Sequence, residues 1–249
     1  MEHKNEFDGE VKISSPFMKK LENFWYHYKI HTIAVLFVIF TISILLVQCL
    51  GKVEYDSHIL YAGPYEIKHT ASGGNVAPYV TATSSLKRVS QDTNGDGNIT
   101  VSLLNLFVIN NAEADELVKD NPSLEINSSL VQQDTDTLSQ NLLYGDYFVC
   151  FLSERLFLEY DERYEGKLFV SLAPYLADGA EVEMLNERAV RLSSLPFYEM
   201  PEICNLPSDT VVCLRAKSEL AGKVSAKRTE RAFAEGEAII TRIFAYGQE

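Results

Sequence analysis

The run Asp92-Thr93-Asn94-Gly95-Asp96-Gly97-Asn98-Ile99-Thr100 has the residue types and spacing of a metal-binding loop. Oxygen-bearing side chains at the first, third and fifth positions of such a loop converge on one hard cation, and a glycine at the sixth allows the sharp turn. Asp92, Asn94 and Asp96 stand at those positions, Gly97 follows, and the apolar Ile99 falls at the eighth. With Asn98 they form a candidate metal set, and the cofactor that this chemistry describes is Ca²⁺. The twelfth position, where a bidentate carboxylate would close the shell, holds Leu103. A carboxylate from elsewhere, Asp134 or Asp136, would have to supply the missing oxygens. The same residues also fit a plain turn, because Asn-Gly and Asp-Gly are strong hairpin dipeptides and the run joins two strand-like segments.

Catalytic patterns are missing. The sequence has no H-E-x-x-H, no G-x-S-x-G and no P-loop. Beyond residue 51 there are two histidines, His58 and His69, and zinc hydrolysis or a Ser-His-Asp relay would have to use one of them. Each reads as an ordinary structural or surface histidine. The acidic pairs Asp134/Asp136 and Asp161/Glu162 belong on solvated faces in a chain of net charge −13. The expectation is therefore a protein that is not an enzyme.

The elements that must position these residues begin with Ile30 to Gly51, which carries no Lys, Arg, Asp or Glu. A helix rises about 1.5 Å per residue and a hydrocarbon core is about 30 Å thick, so this segment is long enough to span a membrane. A cleaved signal peptide fits less well, since 29 residues precede the apolar run and no small-residue cleavage pattern follows. A lipoprotein signal ending at Cys49 would need a small residue where Gln48 stands. Lys19, Lys20 and Lys29 lie just before the span, whereas Lys52 is followed by Glu54 and Asp56, which predicts a cytoplasmic N-terminus. Phe24, Trp25, Tyr26 and Tyr28 fit an aromatic belt at the headgroup layer. Residues 1–29 then form a cytoplasmic tail, 30–51 a transmembrane helix, and 53–249 an extracytoplasmic domain in a single-pass protein of the cell membrane.

The first 31 residues hold five Lys and five Asp or Glu, so the acidity lies beyond the span. An acidic domain repels nucleic acid, which excludes it as a partner. Cys204 and Cys213 are nine residues apart in the outer domain, either as reduced buried thiols or as a disulfide in an oxidising compartment.

Within that domain Val53–Tyr61, Ile99–Ile109, Asp146–Leu152, Val190–Leu192 and Thr210–Arg215 read as strands. Tyr79–Val89 suits a strand, with helix as its alternative. Ala112–Val118, Asn127–Tyr144, Ser153–Tyr160 and Ser225–Tyr246 read as helices. Asn127–Tyr144 has Leu130, Leu138 and Leu142 toward one face and Gly145 as its stop, and Ser153 has the character of an N-cap. Strands alternating with helices give a mixed α/β or α+β domain around one sheet.

The run Ser139 to Leu176 resembles a segment of extracellular solute-binding proteins. Leu142, Gly145 and Asp146 match a helix end, Phe148 to Leu152 a strand, and Leu168, Leu172, Pro174 and Tyr175 a following leucine-rich run that closes on Pro-Tyr. The whole chain is similar to uncharacterised single-pass membrane proteins of Gram-positive anaerobic bacteria. The shared features are Phe24 to Lys29, the Tyr61-Ala62-Gly63-Pro64 turn and the Leu206 to Arg215 run. The first resemblance implies one lobe of a solute-binding protein and carries over no ligand-binding residue. Together these readings predict a membrane-anchored binding or interaction module, taking a small solute or an envelope protein. Its candidate site lies at the C-terminal ends of the strands, near Tyr61–Tyr65 and Gly145–Tyr147. A structural component of a cell-envelope complex and a Ca²⁺-dependent surface module are the alternatives.

Overall fold

The computed structural model describes residues 16–50, 55–71, 76–176, 182–217 and 222–247. The chain divides into two compact units, residues 1–53 and 54–249.

Among its described residues the first unit contains one helix, α1 (Pro16–Leu50), of 35 residues. The aromatic segment and the apolar segment therefore form one continuous helix. Its stretch Asn23–Val47 is long and apolar enough to cross a membrane, and none of it is buried within the protein. Phe37, Val38, Ile39 and Phe40 are exposed all around it. A helix apolar on every face is compatible with a single membrane span.

The second unit is built on one six-stranded sheet. β1 (Ser57–Gly63) lies between β2 (Val101–Phe107) and β3 (Val149–Ser153) and runs parallel to both. β6 (Thr210–Leu214) then pairs antiparallel with β3, followed by β5 (Ala189–Arg191) and β4 (Met184–Asn186). All five residues of β3 and all five of β6 are buried. That is why both read as continuous apolar runs rather than alternating ones.

Helices cover both faces. Ile59, Tyr61, Phe151 and Val212 pack with Ala82 and Leu86 of α2 (Pro78–Leu86) and with Ile239, Ile240 and Ile243 of α6 (Gly222–Ala245). Leu60, Ala62, Cys150 and Leu152 pack on the other face. Their partners there are Leu138 and Leu142 of α4 (Ser128–Tyr144) and Leu156 and Phe157 of α5 (Glu154–Arg163). α3 (Asn111–Asp120), closed by an Asn110/Glu113 capping box, precedes α4. The chain thus leaves β1 toward β2 over one face and returns to β3 over the other.

The structure departs from the sequence reading at several places. Residues 78–86 are helix, the alternative for Tyr79–Val89. Pro78 opens that helix, and Thr81, Thr83 and Ser84 turn their hydroxyls back onto carbonyls one turn earlier. Ser85 donates to the Pro201 carbonyl, and burial of Ala82 and Leu86 overrides the β preference of Val and Thr. β1 starts at Ser57 because Asp56 is drawn into the 92–100 loop; Val53 and Glu54 lie outside the described residues. Leu130 is exposed, so the buried face of α4 rests on Leu138 and Leu142. Cys204 is exposed whereas Cys213 is fully buried in β6, and both are free thiols.

Candidate functional site

Asp92, Asn94, Asp96 and Asn98 come together in an irregular loop before β2, and each of the first three carries a structural hydrogen bond. Asp92 accepts from the Gly95 amide at 2.6 Å and the Gly97 amide at 2.8 Å. Asn94 Oδ1 accepts from the Asp96 amide at 2.8 Å, and Asp96 from the Asn98 amide at 2.7 Å. Gly95 and Gly97 take φ values of 76° and 84°, which side chains of L-residues rarely adopt. Asp134 and Asp136 do not complete this loop. Asp134 accepts from the Phe107 amide at the far end of β2, about 20 Å along the strand, and Asp136 accepts from Gln132 on α4. Among the described residues no cluster of three or more His, Cys, Asp or Glu could hold a metal ion.

The carboxylate that meets the loop is Asp56, which is 4% exposed. It accepts from the amides of Thr93, Asn94 and Thr100 and from the hydroxyls of Thr93 and Thr100, at 2.8 to 3.2 Å. Burial alone would raise its pKa. The hydrogen bonds outweigh that and hold it at about 2. Arg231 and Arg242 on α6 donate to the carbonyls of Thr93 and Val89, fixing the same segment from the other side. Asp56 is the residue that sequence reasoning missed. Its one signal is a carboxylate directly before an apolar strand.

The two candidate regions fall at opposite ends of the strands. Gly63-Pro64-Tyr65 follows β1, whereas Gly145–Tyr147 precedes β3, and the two strands are parallel. At the edge where β1 and β3 end, Ser153 and Thr210 are register partners. Tyr61 Oη accepts from the Tyr65 amide at 3.2 Å, and a Cβ on Gly63 would stand 2.8 Å from that oxygen. A side chain on residue 63 would force the phenol to shift. Burial, partly offset by that amide bond, pushes the Tyr61 phenol far up, so it stays protonated. The Thr210 hydroxyl, on a residue 1% exposed, has no hydrogen-bond partner among the described residues. Ser153 turns its own hydroxyl to the Leu156 amide as the cap of α5. Tyr65 Oη donates to Glu202 at 2.8 Å, and burial together with that carboxylate pushes its phenol up to about 12.

At the opposite edge Arg215, 1% exposed, sends its guanidinium to the carbonyls of Leu142, Gly145 and Tyr147 and stacks 4.2 Å over Phe148. A cation thus caps the carbonyl end of α4. An open hollow of about 670 Å³ nearby is lined by Arg163, Tyr164, Glu165, Lys167 and Leu168 and by Ala216 and Lys217. Its cations are already engaged, Arg163 by Glu159, Lys167 by Glu165 and Lys217 by the Phe233 ring. His58 lies edge-on to Tyr147, and burial lowers its pKa. His69 stacks on Tyr79 at 4.0 Å.

No family model matches the chain, and no curated protein or solved structure does.

Proposed function

We propose that this chain is a membrane-tethered binding module. Its α/β unit takes a small solute at the edge where β1 and β3 end. The observation that carries the reading is the reversal of winding between β1 and β3, with α2 on one face of the sheet and α4 on the other. Strands wound in opposite directions part their following loops at that point, and open α/β sheets use the resulting crevice for ligands. The unpartnered Thr210 hydroxyl supports the same edge, because a buried polar group without a partner is costly unless something completes it. The order α4, β3, α5 over Ser128–Arg163 agrees with the elements expected from the solute-binding resemblance. In this reading the N-terminus is cytoplasmic, after Lys19, Lys20 and Lys29, and the acidic unit is extracytoplasmic.

The test is a thermal-shift screen of the full chain in detergent micelles against amino acids, sugars and short peptides. A ligand present at 100 times its Kd stabilises by about 2.7 kcal/mol, a rise of several degrees. The reading expects one solute class to give that rise. Silence across all three classes contradicts it and favours docking onto an envelope protein.

A further inference from the structure

Cys150 and Cys213 face each other across the junction between the parallel strands and the antiparallel ones. They are direct register partners in β3 and β6, both fully buried, on the face covered by α4 and α5. The Cys213 thiol donates to the Cys150 carbonyl at 3.5 Å. Arg215 donates its amide to the Phe148 carbonyl at 2.8 Å, and Glu154 donates its amide to the Asp209 carbonyl at 3.0 Å. Hydrogen-bonded pairs alternate along an antiparallel ladder, so Cys150/Cys213 is one as well. Such pairs hold their Cα atoms about 5.5 Å apart, inside the range of about 4.4–6.8 Å that a disulfide spans. Cys204, the partner considered from sequence, is exposed in a 3₁₀ turn outside the sheet.

We propose that Cys150 and Cys213 form an oxidisable dithiol that closes to a disulfide, cross-linking β3 to β6. The oxidant is a small disulfide such as glutathione disulfide. One cysteine thiolate attacks it, forming a mixed disulfide and releasing one glutathione thiolate. The second cysteine thiolate attacks the protein sulfur of that mixed disulfide, forming the Cys150–Cys213 bond and expelling the second glutathione. Two protein thiols are oxidised, one glutathione disulfide is reduced, and the two cysteine protons end on the released thiols.

The surroundings determine when this happens. Burial, and then the neighbouring Cys150 thiol, push the Cys213 thiol well above its ordinary range. The thiolate that does the chemistry is therefore scarce once the sheet has closed. Oxidation belongs to the folding chain, before β3 and β6 are covered. A hydrogen-bonded pair also sets its Cβ atoms wider apart than the about 3.8 Å of an unstrained disulfide. The bond is accordingly reduced more readily than an unstrained one.

The experiment is refolding of the reduced full chain from urea into detergent, with and without glutathione disulfide. Denaturation, alkylation without reductant and peptide mass mapping follow. The expected result is a Cys150–Cys213 peptide 2 Da lighter than its two thiols, with Cys204 left outside it, and a melting temperature raised by several degrees. The Cys204→Ser chain should give the same cross-link. The already folded reduced chain should remain unoxidised under the same treatment. Singly alkylated Cys150 and Cys213 after oxidative refolding would overturn the proposal, and so would a Cys204 cross-link to either of them.

Discussion

Asp56 holds the acidic loop from outside it. The loop's own residues are legible in sequence as a cation-binding spacing, but their oxygens are drawn to backbone amides within the loop. Asp56 lies far away in the chain, and neither spacing nor composition reveals such a partner. Its effect is testable by pH. The folded pKa, about 2, is depressed below the ordinary 3.8, so its stabilisation is fully present above pH 4 and is lost as pH falls through 2. The shift corresponds to about 2 kcal/mol. Asp56→Ala should lower stability by at least that much at pH 7, and urea melts of the variant should lose part of the acid dependence between pH 4 and pH 2. Thr210 makes the opposite prediction. Its hydroxyl is buried without a partner among the described residues, so Thr210→Val should stabilise the ligand-free chain by about 1 kcal/mol in the same melts.

Among the elements, those carrying a strong local signal were legible. α4 starts at the Asn127 cap and stops at Gly145, and α5 starts at the Ser153 cap, because capping chemistry is written within a few residues. β3 and β6 were legible as apolar runs. α2 read first as a strand because Val80, Thr81 and Thr83 favour that geometry, while its helix rests on contacts with residues distant in sequence. β5 was legible as Val190–Leu192, one residue late, whereas β4 has three residues and no apolar run, too little for any periodicity to register. Arg215 shows how elements are joined at one end of the sheet, since it closes the carbonyl end of α4 from the end of β6. Arg215→Met would leave the Leu142, Gly145 and Tyr147 carbonyls without this donor. A loss of about 2–4 kcal/mol should follow in urea melts of the full chain. Leu138→Ala, at the centre of the buried face of α4, should cost about 2–5 kcal/mol in the same measurement.

For the whole molecule, the division into an apolar helix and an α/β unit was legible because a long uncharged run is the strongest signal a sequence carries. The candidate edge was legible only in half. Tyr61–Tyr65 follows β1, but Gly145–Tyr147 lies at the other end of the sheet, since strand direction is a property of topology and not of local sequence. The proposed membrane orientation has a natural reporter in the exposed thiol of Cys204. A membrane-impermeant maleimide should label Cys204 in intact cells, and labelling only after lysis would reverse the proposed orientation. Where the solute binds is decided by a calorimetric titration of the first solute class to pass the thermal screen. It compares the wild-type chain with Thr210→Val in detergent. The variant, though more stable without ligand, should bind about tenfold more weakly, equivalent to about 1.4 kcal/mol. Equal affinity in the two chains would contradict a site at the end of β1 and β3.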